Sequence, residues 1–192
     1  MESQRYALRL GTKAGAEVPE RDLVLFFHRL IQEKALRETC VDVTDYSHVP
    51  EGPGVMLICH EAHYALERVS GSLALRCATK RGAEGDAAAR IRRILGKTLA
   101  LAKLAESHEA LGGRVRFDMS QATLWIEDRL VAPNTEATFA ALAPVLGETL
   151  TAVWGASPVL SRAGSPKERF QVDIAFPLAP SIEELLGRLS PN

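Results

Sequence analysis

Residues Arg5 to Leu10 (RYALRL) alternate polar and apolar with a period of two, which predicts a strand with one buried face. After Pro19, which a first helical turn tolerates, Leu23, Val24, Phe27, Leu30, Ile31 and Ala35 recur at helical spacing and predict a helix to about residue 38. VDVTDY (41–46) reads as a strand, a loop rich in Pro and Gly follows, and the uncharged run 55–59 favours a second strand through its β-branched residues. That strand is expected to continue, bent, through HYALERV to a turn at Ser70-Gly71, with SLALRCATK as the next strand.

Asp86 is a suitable N-cap for a helix that places Ile91, Ile94, Leu95, Thr98, Ala102 and Ala105 on one face and stops at Gly112-Gly113. RVRFDM and ATLWIED then read as strands, and a helix over 135–153 follows Asn134, with Pro144 expected to kink it. SPVLSRAG and RFQVDIAF are two further strands, and SIEELLGRL reads as a short docking helix.

Element order recurs along the chain. Strand, helix, strand, strand over 1–80 answers the same order over 114–177 at an offset of about 116 residues, although residue identities do not repeat. The expected fold is therefore α+β, a mostly antiparallel sheet with about three main helices, built from pseudo-duplicated βαββ units that share one core and are linked by helix 86–109. The whole chain 1–192 is read as one globular domain. A ligand groove is expected where the two units meet.

Composition narrows the partners. With 23 Lys and Arg against 24 Asp and Glu, the chain has no overall attraction for nucleic acid or anionic lipid. The basic residues Arg90, Arg92, Arg93, Lys97 and Lys103 flank the apolar stripe of their helix on both sides, as long side chains do when their stems cover a core edge. The start MESQRYALRL lacks the apolar core of a secretory signal, and no uninterrupted apolar run reaches the length of a membrane span, so a cytoplasmic location is expected. Cys40, Cys59 and Cys77 are an odd, widely spaced set in strand-like segments and read as buried thiols of a reducing compartment.

The densest chemistry lies in GPGVMLICHEAHYAL (52–66). HEAH is not the zinc motif H-E-x-x-H, because His60 and His63 are three apart rather than four, and on one strand they would face opposite sides. No phosphate-cradling glycine loop is present, and no serine sits in G-x-S-x-G. His28 and His108 read as structural. If strands 41–46 and 55–64 pair, Asp45, Tyr46 and His48 come to one end of the groove with His60, Glu61 and Tyr64. His60 and Glu61 would then be the proton-transfer groups of any catalysis, with Tyr46, His48, Tyr64 and Asp45 binding ligand.

In element order the duplicated βαββ unit resembles the gyrase-inhibitor-like and SOUL-type small-molecule-binding fold. The first half with SLALRCATK also resembles the βαβββ module of vicinal oxygen chelate enzymes, whose strands carry divalent-metal ligands; here YALRL offers no histidine or carboxylate. The leading expectation is a small-molecule-binding protein with an unidentified ligand and no assigned metal. The alternatives are a metal-dependent enzyme using His48, His60, Glu61 or His63 with Asp45, and a self-associating structural protein. A homodimer through uncovered edge strands fits any of the three.

Overall fold

The protein is described by a computed structural model covering residues 5–13, 16–50, 52–80 and 84–189. Residues 1–4, part of the segment read above for a secretory signal, lie outside it.

The alternating segments form β1 (Tyr6–Gly11), β2 (Cys40–Tyr46), β3 (Gly54–Cys59), β4 (Ala62–Val69), β5 (Ser72–Thr79), β6 (Gln121–Ile126), β7 (Val159–Ala163) and β8 (Phe170–Ala175). The helical segments form α1 (Glu20–Gln32), α2 (Ala87–Ser107), α3 (Glu136–Trp154) and α4 (Ile182–Leu189). All eight strands join one antiparallel sheet in the order β2-β3-β4-β5-β1-β6-β8-β7, so the fold is α+β.

One face of that sheet carries the apolar half of each alternation. Tyr6, Leu8 and Leu10 of β1, Leu57 of β3, Tyr64 and Leu66 of β4, Leu75 and Cys77 of β5, Leu124 and Ile126 of β6 and Val172 of β8 are all buried in a single cluster with the helices. The cluster takes Phe26, Phe27 and Leu30 from α1, Ile94, Leu95 and Leu99 from α2, Leu146 and Leu150 from α3, and Leu185 from α4. Burial of this kind, at roughly 25 cal/mol per Å² of apolar surface, holds the layers together.

Several boundaries differ from the sequence reading. Helix α1 ends at Gln32 rather than near 38, because Lys34 takes a left-handed conformation (φ 50°) and the Lys34 and Ala35 N–H groups bond back to Ile31 and Leu30 carbonyls. RVRFDM forms no strand; it contributes only an isolated bridge, Thr12 to Phe117. The cap of α3 is Thr135, whose hydroxyl accepts from the Thr138 N–H, while the buried Asn134 donates to the Ala163 and Ser165 carbonyls. Helix α3 runs through Pro144 and, with few charges, is long and apolar enough to cross a membrane by composition. In the fold its Leu142, Leu146, Leu150 and Val153 are buried against the sheet layer.

The recurrent element order does not establish a duplication. In the second half β8 pairs directly with β6, whereas β4 and β5 lie between β3 and β1 in the first. The halves join edge to edge through β1 and β6, and their meeting line crosses the sheet face that the helices leave bare.

Asp86 does cap α2, its carboxylate accepting from the Ala89 N–H at 2.8 Å. Asp86→Ala is expected to lower the free energy of urea unfolding by about 1 kcal/mol, and a change below a few tenths would contradict the capping role.

Candidate functional site

Strand parity sends Ala7 and Arg9 of β1 to the face opposite the helices. Arg9 lies directly opposite Arg76 on β5 and Thr123 on β6, and Ala7 lies opposite Ala78 and Trp125. Two guanidiniums thus sit side by side at the middle of the sheet, and like charges directly opposite each other in a ladder are destabilising.

What offsets the repulsion is a ring and two carboxylates. The guanidinium carbons of Arg9 and Arg76 stand 4.8 and 5.6 Å from the Trp125 ring centre. Trp125 is itself held by its indole N–H, which donates to Gln171 Oε1 at 2.9 Å, and Gln171 in turn donates to Asp173 at 3.0 Å. Glu67 lies 3.6 Å from Arg9, and Glu127 accepts from Arg76 at 2.5 Å while also meeting Arg169 at 2.8 Å. Arg76 Nε remains buried with no hydrogen-bond partner.

Two depressions flank the arginine pair. One, of about 610 Å³, is lined by Arg9, Thr123, Ser161, Gln171 and Asp173 and draws on both halves of the chain. The other, of about 450 Å³, is lined by Arg5, Met56, His63, Arg76, Lys80 and Glu127. Burial, reinforced by the nearby Lys80 charge, holds the His63 imidazole below its ordinary range, and its Nδ1 is buried without a partner. Small side chains leave room for them, Ala74 lining the first and Ala78 the second beside the long side chains of the central strands.

His63 apart, the residues singled out in the sequence fall elsewhere and in two groups. Asp45 pairs with Val55 and Tyr46 with Gly54, so Asp45, Tyr46 and His48 lie at one end of β3. Tyr46 borders a depression of about 210 Å³ there with Glu20 and Arg68, and His48 is exposed. The Asp45 carboxyl is held below its usual range by hydrogen bonds from Ser47. His60 and Glu61 form the turn at the other end of β3, about 17 Å away at the rise of a strand. The expected bent strand is therefore a tight hairpin, and its register keeps Asp45 away from His60 and Glu61.

Glu61 and Tyr64 do come together, around a residue that sequence reasoning passed over. The Glu38 carboxylate accepts from the Glu61 and Ala62 N–H groups at 2.8 and 3.1 Å, from Tyr64 Oη at 2.6 Å and from Lys97 Nζ at 2.7 Å. Its side chain is 3% exposed, and Lys97 also reaches Glu61 at 2.9 Å. Burial pushes the Tyr64 phenol far above its usual range, so it serves as a fixed donor rather than an acid. This cluster binds its own turn and is a structural clasp. A depression of about 570 Å³ beside it is lined by Glu38, Cys40, His60 and Glu61.

Among the described residues, no three His, Cys, Asp or Glu side chains are grouped to hold a metal ion. The arginine pair was missed because Arg9 and Arg76 each look like the solvated half of a strand alternation, and only the register shows that they coincide. Compared with known families and with curated proteins, the chain matches no family model and no curated sequence.

Proposed function

We propose that the protein binds a small organic anion, a carboxylate or a phosphate monoester, on the bare face of its sheet, with the anionic group at Arg9 and Arg76. The observation that carries this reading is the direct register of the two arginines over Trp125, with Arg76 Nε left unpartnered. Two adjacent guanidiniums offer planar forks suited to bidentate recognition of an oxyanion. A site that sets two like charges side by side in the centre of a sheet is a natural place for a ligand of opposite charge.

The ligand body would lie over the 610 Å³ depression, where Thr123, Ser161, Gln171 and Asp173 supply hydroxyl, amide and carboxylate partners. His63, held neutral, adds an acceptor or donor on the other side. The three free thiols suit a cytoplasmic setting for this role.

The test is a titration with inorganic phosphate and with phenyl phosphate, followed by the indole N–H resonances of the protein's two tryptophans. The Trp125 signal, assigned with a Trp125→Phe variant, is expected to move while that of the buried Trp154 stays. Arg9→Gln and Arg76→Gln should each weaken binding about tenfold or more, the worth of a charge-assisted hydrogen bond. Equal affinity in wild type and both variants, or no movement of Trp125, would overturn the reading.

A further inference from the structure

We infer that Cys40 and Cys59 form a redox-modification site, a dithiol that closes to an intramolecular disulfide with a small disulfide as oxidant. The two residues face each other across β2 and β3, with their Sγ atoms 3.0 Å apart. The flanking residues Thr39 and His60 are joined by a backbone hydrogen bond, His60 N–H to the Thr39 carbonyl, which makes 40 and 59 a non-hydrogen-bonded pair. Backbones approach most closely at such pairs, at a Cα separation of about 4.5 Å, within the range a disulfide spans.

The alignment depends on a bulge. Register shifts between Cys40 and Asp42, so that Val41 is the extra residue on β2 and is largely exposed. Without it Val41 would face Cys59, and Cys40 would lie beyond the pair. A β-bulge re-aims a side chain in this way, and here it delivers a thiol to a thiol.

The two sulfurs differ in access. Cys40 is half-buried and borders the 570 Å³ depression, whereas Cys59 is fully buried. Cys40, as thiolate, therefore attacks one sulfur of the small disulfide, whose S–S bond breaks and releases one small thiolate that takes up the proton lost by Cys40. Cys59 then loses its proton and attacks Cys40 Sγ in the mixed disulfide. The Cys40–Cys59 bond forms, and the second small thiol leaves with that proton. Two protein thiols are oxidised and one small disulfide is reduced to two thiols. Burial and the neighbouring Cys40 hold the Cys59 thiol well above its ordinary range, so the second step is slow at neutral pH and speeds up as pH rises.

Cys77 serves as the internal control. It is buried on β5, two strands from Cys59 and level with Leu57, so about 12 Å away, with burial pushing its thiol up to about 12. The experiment equilibrates the full chain in graded ratios of oxidised to reduced glutathione, alkylates free thiols under denaturing conditions and reads intact and peptide masses. The expected result is loss of two of the three alkylations, a peptide linking Cys40 to Cys59, and a raised thermal midpoint. Cys77→Ser should behave likewise, and Cys59→Ser should stop at a glutathione adduct on Cys40 with no rise in midpoint. Three alkylated thiols at the most oxidising ratio, a wild-type adduct that never resolves, or a cross-link through Cys77 would each overturn the inference.

Discussion

Glu38→Ala is expected to lower the free energy of unfolding by about 3–5 kcal/mol, the cost of breaking a buried ion pair by removing one partner. The substitution leaves Lys97, whose side chain is 16% exposed, with the more exposed Glu61 as its remaining counter-charge, and removes the acceptor of two backbone N–H groups and the Tyr64 phenol. Urea unfolding followed by tryptophan fluorescence checks it, and a loss below about 1 kcal/mol would show that the clasp contributes no more than a surface pair. Glu38→Gln, which keeps an acceptor but not the charge, should fall between the two.

The same residue sets a pH dependence. Burial alone would push the Glu38 carboxyl up, but hydrogen bonds from Lys97, Tyr64 and the Glu61 N–H outweigh it and hold the group below its ordinary value of 4.5. A carboxyl with a lower pKa folded than unfolded contributes stability that is complete above that ordinary value and is lost as pH falls through the folded one. The wild-type advantage over Glu38→Ala should therefore be flat from pH 7 down to about 5 and shrink below it.

Glu38 also explains what the sequence could and could not disclose. Ser70-Gly71 was legible as a turn, and both residues take left-handed conformations, φ 50° and 84°, as a two-residue hairpin prefers. His60-Glu61 carries no such signature and neither residue has a positive φ. Its amides are held instead by a carboxylate more than twenty positions upstream, so a local reading ran one strand straight through. Strand alternation and the cap at Asp86 are local, and they were readable for that reason. RVRFDM alternates equally well but never enters the sheet beyond one bridge, because β1 already has β5 on one side and β6 on the other.

The site was harder still, since it depends on register between segments far apart in sequence. The histidines of 52–66 drew attention as concentrated chemistry, yet a six-residue strand carries Asp45 and His60 to opposite ends of the sheet. Arg9, Arg76 and Trp125 are single residues in three apolar strands, and no spacing rule links them. The bulge at Val41 is likewise invisible in the sequence, and it alone turns two scattered cysteines into neighbours.

Gly54→Ala should cost about 2–5 kcal/mol, combining left-handed strain with overpacking. Gly54 has φ +66°, and a Cβ there would stand 2.3 Å from the Leu66 carbonyl oxygen and 2.9 Å from Glu67 Cα, both backbone atoms that cannot turn aside. Gly71→Ala is the control: its φ is +84° but a Cβ meets nothing within 4 Å, so only the conformational part, about 1 kcal/mol, should be lost. The difference between the two in urea unfolding measures the backbone collision, and equal losses would remove it from the account. One of the two strands must then shift, and a shift of β4 at Glu67 reaches the arginine pair, since that carboxylate lies 3.6 Å from Arg9. Drawing Glu67 away leaves Arg9 and Arg76 with less compensating charge. Gly54→Ala should therefore bind phosphate more tightly than wild type at a temperature where it stays folded, opposite to Arg9→Gln, and weaker binding would show that Glu67 positions Arg9 rather than neutralising it.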